Sequence, residues 1–146
     1  MRETSTVDIN NYFKNYKGYG GCMSQDQLPM NKAKQHKFYV INLDKSSGAG
    51  THWVSLWSVN PRYVLYVDSF GLGPPTKIEK FMKKTGKKML WSDSDLQNSN
   101  SNSCGEFCMM ILTKLAKGIS PLDILYNDFT PNTNKNEHNL KHFFNI

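Results

Sequence analysis

Two periods of apolar residues alternate along the chain. From residue 5 to 16, Val7, Ile9, Tyr12, Phe13 and Tyr16 recur at mostly helical spacing behind Thr4, Ser5 or Thr6, each able to cap. That pattern predicts a short opening helix, ended by Gly18, Gly20 and Gly21. β-branched and aromatic residues then cluster from Lys37 to Leu43, Trp53 to Val59 and Tyr63 to Val67, the last two flanking Asn60-Pro61-Arg62. They read as three strands, the second and third forming a hairpin. Pro74-Pro75 marks a turn, after which Thr76 can cap a helix to about Thr85 with Ile78, Phe81 and Met82 inward and Gly86 as its stop. Lys88 to Trp91 predicts a fourth strand, and Trp57 and Trp91 read as core.

Residues 92 to 103 are polar and turn-forming, and an apolar run from Phe107 to Ala116 follows, closed by Gly118. Cys104 is therefore expected at the N-terminal end of the most apolar helix. A short helix from Pro121 to about Tyr126 and a last one from about Asn136 to Phe144 complete the pattern. With no repeat and no long linker, residues 1–146 are expected to form one domain. Its class is expected to be α+β: a central mixed or largely antiparallel sheet packed on the helix that begins at Cys104.

Composition narrows the setting. A hydrophobic fraction of 38% suits a folded chain, and no apolar run nears the roughly 20 residues that span a bilayer. The first eight residues hold no apolar signal core, and three cysteines, an odd number, fit a reducing compartment. A soluble monomer in a host cell interior or a virion, without membrane contact, is the expectation. The net charge of +6 favours polyanions, yet a solvated lysine surface is the commoner explanation. The run Lys77, Lys80, Lys83, Lys84, Lys87 and Lys88 lies mostly opposite Ile78, Phe81 and Met82, so it is either a solvated helix face or a nucleic-acid track.

The chemistry is concentrated elsewhere. A thiol attacks as thiolate, and a helix N-terminus beside a histidine favours that form. Cys104 has the first feature, and Gly105 lets the chain turn closely while presenting backbone N–H groups to an oxyanion. His52 stands at the start of a predicted strand, after Ser46-Ser47-Gly48-Ala49-Gly50, and Asp68 ends the neighbouring strand. An antiparallel hairpin brings the start of one strand beside the end of the other, so His52 and Asp68 are expected to be neighbours. A carboxylate there fixes the imidazole tautomer, and Gln97 in the polar loop can supply an amide donor to an oxyanion. Trp53 either packs beside His52, lines the cleft or belongs to the core. Taken singly, Cys104 is more often a buried structural thiol, and His52 can be a surface histidine at a strand start. Cys108 reads as a packed, inert thiol, Cys22 is open between exposure and burial, and His36, His138 and His142 receive no chemistry. Zinc at His52 and Cys104 lacks supporting ligand spacing.

Together these residues carry a resemblance. Gly50-Thr51-His52-Trp53, Asn60-Pro61-Arg62, Tyr66-Val67-Asp68-Ser69-Phe70-Gly71, and Gln97 followed by Asn102-Ser103-Cys104-Gly105-Glu106-Phe107-Cys108 resemble the adenovirus endopeptidase (adenain) family. More distantly they resemble the proteases that process ubiquitin-like proteins. The firm match spans about residues 50 to 116, in the order His, acidic residue, Gln, Cys, which is the reverse of papain-like enzymes. Weaker echoes lie from Gly20 to Pro29 and from Asn136-Glu137 to Phe144. The resemblance implies a cysteine peptidase with His52, Asp68 and Cys104 catalytic and Gln97 with the Cys104 N–H as oxyanion hole. It implies polypeptide substrates with glycine near the cut and a viral maturation role on capsid or core precursors. The sequence itself requires no cofactor; the resemblance adds DNA and a viral peptide as candidate activators. A deconjugating protease for a ubiquitin-like modifier and a noncatalytic DNA-binding protein of the same fold are the competing readings.

Overall fold

The computed structural model describes residues 4–44, 52–97 and 103–144. The chain opens with α1 (Thr6–Phe13) and β1 (Tyr19–Ser24), then passes through two single 3₁₀ turns to β2 (Phe38–Asn42). β3 (Trp53–Trp57), β4 (Tyr63–Val67), α2 (Thr76–Lys84) and β5 (Lys88–Trp91) follow. The last three elements are helices: α3 (Cys104–Ala116), α4 (Pro121–Asn127) and α5 (Thr133–Phe144). The sheet runs β1-β2-β3-β4-β5 and is mixed, antiparallel across β2, β3 and β4 with a parallel strand at each edge.

Strand side chains alternate between two apolar clusters. Phe38, Val40, Trp53, Trp57, Leu65 and Val67 face a core shared with Ile9, Phe13, Phe107, Ile111 and Leu140 of the helices. Tyr39, Ile41, Val54, Leu56, Val64 and Tyr66 face the other way, onto Ile78, Phe81 and Met82 of α2. Helices on both faces explain why β2 and β3 are buried at every position and carry unbroken apolar character rather than simple alternation. α3 lies on β3 and is itself covered by α1, α4 and α5, so a helix starting at Cys104 is apolar nearly all round.

The local signals act as their chemistry suggests. The Ser5 hydroxyl accepts the Asp8 N–H at 3.2 Å while the Asp8 carboxylate takes the Ser5 N–H at 2.9 Å, a reciprocal cap that starts α1. Ser120 caps α4 through the Asp123 N–H, with Pro121 at its first position.

Several expectations need correction. β1 has no strand signal in sequence, where Gly20 and Gly21 suggest only a helix stop; in the structure a Cβ on Gly20 would stand 2.3 Å from the Tyr39 ring. The strand uses glycine so that its backbone can lie against that ring. Val7 points outward at 67% exposure because α1 buries Ile9 and Phe13. Pro75, not Thr76, stands at the N-cap position of α2, where no side chain makes a capping bond, and α5 begins at Thr133, three residues before the predicted Asn136. Trp91 is not core: at the end of an edge strand it is 52% exposed, its indole lying near Gly73.

Candidate active site

Ser55 of β3 pairs with Val67 of β4, and continuing that register outward sets His52 and Trp53 across from the residues that follow β4. His52 Nε2 donates to Asp68 Oδ1 at 2.9 Å, the juxtaposition expected of the hairpin ends. The same oxygen accepts the Phe70 N–H at 2.8 Å, and the Phe70 ring stacks on the imidazole with centroids 5.0 Å apart and planes 24° from parallel. Asp68 is buried, and two donors on one carboxylate oxygen fix its orientation.

Cys104 enters from the opposite side as the first residue of α3, buried, its Sγ accepting the Trp53 backbone N–H at 3.4 Å. His52 lies beside it, close enough for the thiol to help raise the imidazole's pKa. Since Asp68 occupies Nε2, the thiol is served by Nδ1. Burial disfavours the charged imidazolium, but Asp68 and then Cys104 outweigh it and raise the His52 pKa from 6.5 to about 9. His52 is thus a cation at neutral pH, placed beside a sulfur at a helix N-terminus.

Gln97 is buried and is tied to the residue after Asp68: its N–H donates to the Ser69 carbonyl at 3.0 Å, and its Oε1 accepts the Ser69 hydroxyl at 2.5 Å. With Oε1 engaged, Nε2 is the donor end of the amide. Neighbouring residues after β4 therefore hold the imidazole and the amide. Trp53 is buried beside the cysteine, and a Cβ on Gly105 would stand 3.0 Å from Thr4 Cβ and 3.4 Å from Trp53 Cδ1. A side chain at position 105 would need Thr4 to give by a few tenths of an ångström.

The structure brings His52, Asp68, Cys104, Trp53 and Gly105 into one cluster and links Gln97 to it through Ser69. The lysines lie apart, on and after α2: Lys77, Lys80, Lys83, Lys84 and Lys88 are exposed, with Lys83 paired to Glu79 at 3.0 Å. Lys87 differs, its Nζ donating to the Ser58 carbonyl at 2.5 Å and lying 3.0 Å from His36 Nδ1. Burial lowers its pKa, and these bonds hold it inward. Cys108 is buried, which pushes its thiol well above the usual range; half-buried Cys22 is pushed up to about 12 for the same reason. Neither has thiolate character. Among the described residues no three His, Cys, Asp or Glu side chains gather as metal ligands; His138 and His142 share the i, i+4 spacing on α5 without a third. The Gly50-Thr51 motif, the Ser46 to Gly50 loop and Asn102 lie outside the described residues. Sequence reading gave no role to Ser69 or Phe70, although both stand in the motif after Asp68, and none to Asn136 and Glu137.

No family model and no curated protein matches the sequence. Solved structures do match. The chain is similar to the ASFV pS273R protease, with a TM-score of 0.67 and 15% identity over 97% of this chain and 66% of that one. A second structure of that protease gives 0.64 and 16% over 93% and 62%. The SUMO protease Ulp1, its catalytic cysteine oxidized to a sulfinic acid, gives 0.55 and 16% over 99% and 78%. The chain spans somewhat under two thirds to four fifths of these proteins. The α+β architecture with Cys104 opening α3 is the fold of the adenain- and Ulp-like cysteine proteases.

Proposed function

We propose that this protein is a cysteine endopeptidase acting through Cys104, His52 and Asp68, with Gln97 and the Cys104 N–H as oxyanion hole. The observation that carries the reading is a cysteine at a helix N-terminus beside an imidazole that a buried carboxylate holds by Nε2. With its proton on His52, the Cys104 sulfur attacks a peptide carbonyl carbon, forming the S–C bond and an oxyanion. The oxyanion collapses, the C–N bond breaks, and the imidazolium gives its proton to the departing amine. Neutral His52 then draws a proton from water, which attacks the thioester and releases a carboxylate and Cys104. Asp68 keeps the imidazole in one tautomer and balances its charge throughout.

The proposed substrates are polypeptides with glycine or another small residue at the cut, as the resemblance to the adenain family implies. Processing of viral capsid or core precursors is the leading context. The likeness to Ulp1 favours, as a second reading, release of a ubiquitin-like modifier; hydrolysis of a folded modifier fusion set against short capsid-like peptides separates the two. A polyanion contact along Lys77, Lys80, Lys84 and Lys88 belongs to the same proposal.

The deciding experiment is intact mass after exposure to a Gly-Gly peptide carrying a thiol-reactive terminus, with and without DNA. One adduct on wild type and none on Cys104→Ala is expected. Equal labelling of both, or of neither, sinks the peptidase reading and favours the noncatalytic one.

A further inference from the structure

Two adjacent side chains of α5 reach residues next to the candidate site, one at the residue before Gln97 and one at the residue before Cys104. Asn136 is fully buried, which a side-chain amide tolerates only with its hydrogen bonds made. Its Nδ2 donates to the Leu96 carbonyl at 3.1 Å and to the Thr130 carbonyl at 2.7 Å, and its Oδ1 accepts the Thr130 N–H at 2.8 Å. Leu96 is the residue before Gln97. The next residue along α5, Glu137, accepts the Ser103 hydroxyl on Oε1 at 2.5 Å, and Ser103 is the residue before Cys104.

Ser103 makes the second contact informative. It stands at the N-cap of α3, where a serine hydroxyl ordinarily accepts an N–H of the first turn, yet it makes no capping bond and turns to Glu137 instead. The first-turn N–H groups, which an oxyanion beside Cys104 would use, are not occupied by that hydroxyl. Seating α5 does not by itself call for these bonds, since Leu140 is already buried in the core.

Building on the peptidase reading, we propose that Asn136 and Glu137 are positioning residues that set Gln97 and the N-terminus of α3 at the separation an oxyanion requires. They touch no substrate and act through Leu96 and Ser103. Misplacement of such donors by about 1 Å costs on the order of 100-fold in rate.

The test compares Glu137→Ala, Ser103→Ala, their double variant, Glu137→Gln and Asn136→Ala with wild type. Hydrolysis of a Gly-Gly peptide, alkylation of Cys104 by iodoacetamide and thermal melting are read in parallel. The three Ala variants are expected to lose about 10- to 100-fold in kcat with little change in KM, because orientation for the transition state is what they lose. Alkylation, which forms no oxyanion, is expected to stay within about threefold of wild type. The double variant is expected to fall no further than either single, and Glu137→Gln, which keeps an acceptor oxygen, to recover most of the rate. Folded Glu137→Ala with wild-type turnover overturns the proposal, as do losses that multiply in the double variant or alkylation falling in step with hydrolysis. Should Asn136→Ala fail to fold, the Glu137 and Ser103 cycle decides alone. Wild type that neither hydrolyses the peptide nor alkylates at Cys104 removes the peptidase reading, and the pair with it; wild type that does both while the variants match it removes the pair only.

Discussion

A histidine in water is mostly neutral at pH 7, and the carboxylate behind His52 changes that. Because Asp68 and Cys104 raise its pKa to about 9, the imidazolium needed to protonate the leaving amine persists across the neutral range and disappears above it. Turnover is expected to fall on an alkaline limb near pH 9, and Asp68→Asn to move that limb toward 6.5 while lowering kcat by about 10²- to 10⁴-fold. A pH–rate profile of both proteins checks it. The same shift has a stability consequence. A histidine whose folded pKa is raised stabilises the native state fully below its unfolded value near 6.5, and this contribution is lost as pH rises through about 9. The gap in melting temperature between wild type and Asp68→Asn should therefore be wide at pH 6 and narrow at pH 10; a gap that widens with pH would contradict the assignment. Gln97→Ala is expected to lower kcat by about 10²- to 10³-fold, the loss of one oxyanion donor, with KM little changed. These residue types and their order were legible in the sequence. The bonds of Phe70 to Asp68 and of Ser69 to Gln97 were not, because a motif fixes which residues are adjacent in the chain and not which atoms meet.

Elements were legible where side-chain period or cap chemistry speaks. The apolar faces of α2 and α3 are local properties, set within one or two turns, and a cap for α1 was legible as Thr4, Ser5 or Thr6, of which the structure uses Ser5. Ser5→Ala is expected to cost about 1 kcal/mol in a denaturant melt, the usual worth of an N-cap. Gly105 tests a relation between elements: Ala there would press on Thr4 and Trp53, and overpacking of this kind costs about 1–3 kcal/mol. Gly105→Ala should therefore melt earlier than wild type and lose activity, since Trp53, one neighbour of the added methyl, donates its backbone N–H to Cys104. β1 escaped notice because its glycines oppose strand propensity, and what makes it a strand is pairing with β2 and contact with the Tyr39 ring.

At the scale of the whole molecule, charge and topology decide. Reversing Lys77, Lys80, Lys84 and Lys88 to Glu is expected to abolish DNA binding; for wild type, log affinity should fall against log salt with a slope of about 0.9 per phosphate contact. Unchanged binding in the reversed protein would reduce the lysines to a solvated face. Lys87 is left out of that set because tertiary structure turned its amine onto Ser58.

By itself, the sequence determined the α+β class, the central hairpin, the helix that opens at Cys104 and the residue types of the candidate site, all of which depend on short-range periodicity and the chemistry of single side chains. Only the tertiary structure decided the parallel edge strands, which of the two nitrogens of His52 faces Asp68, the inward fate of Lys87, the exposure of Trp91, and the grip of α5 on Leu96 and Ser103. Each of these depends on atoms brought together from distant parts of the chain, where pattern along one segment carries no information about what another will place beside it.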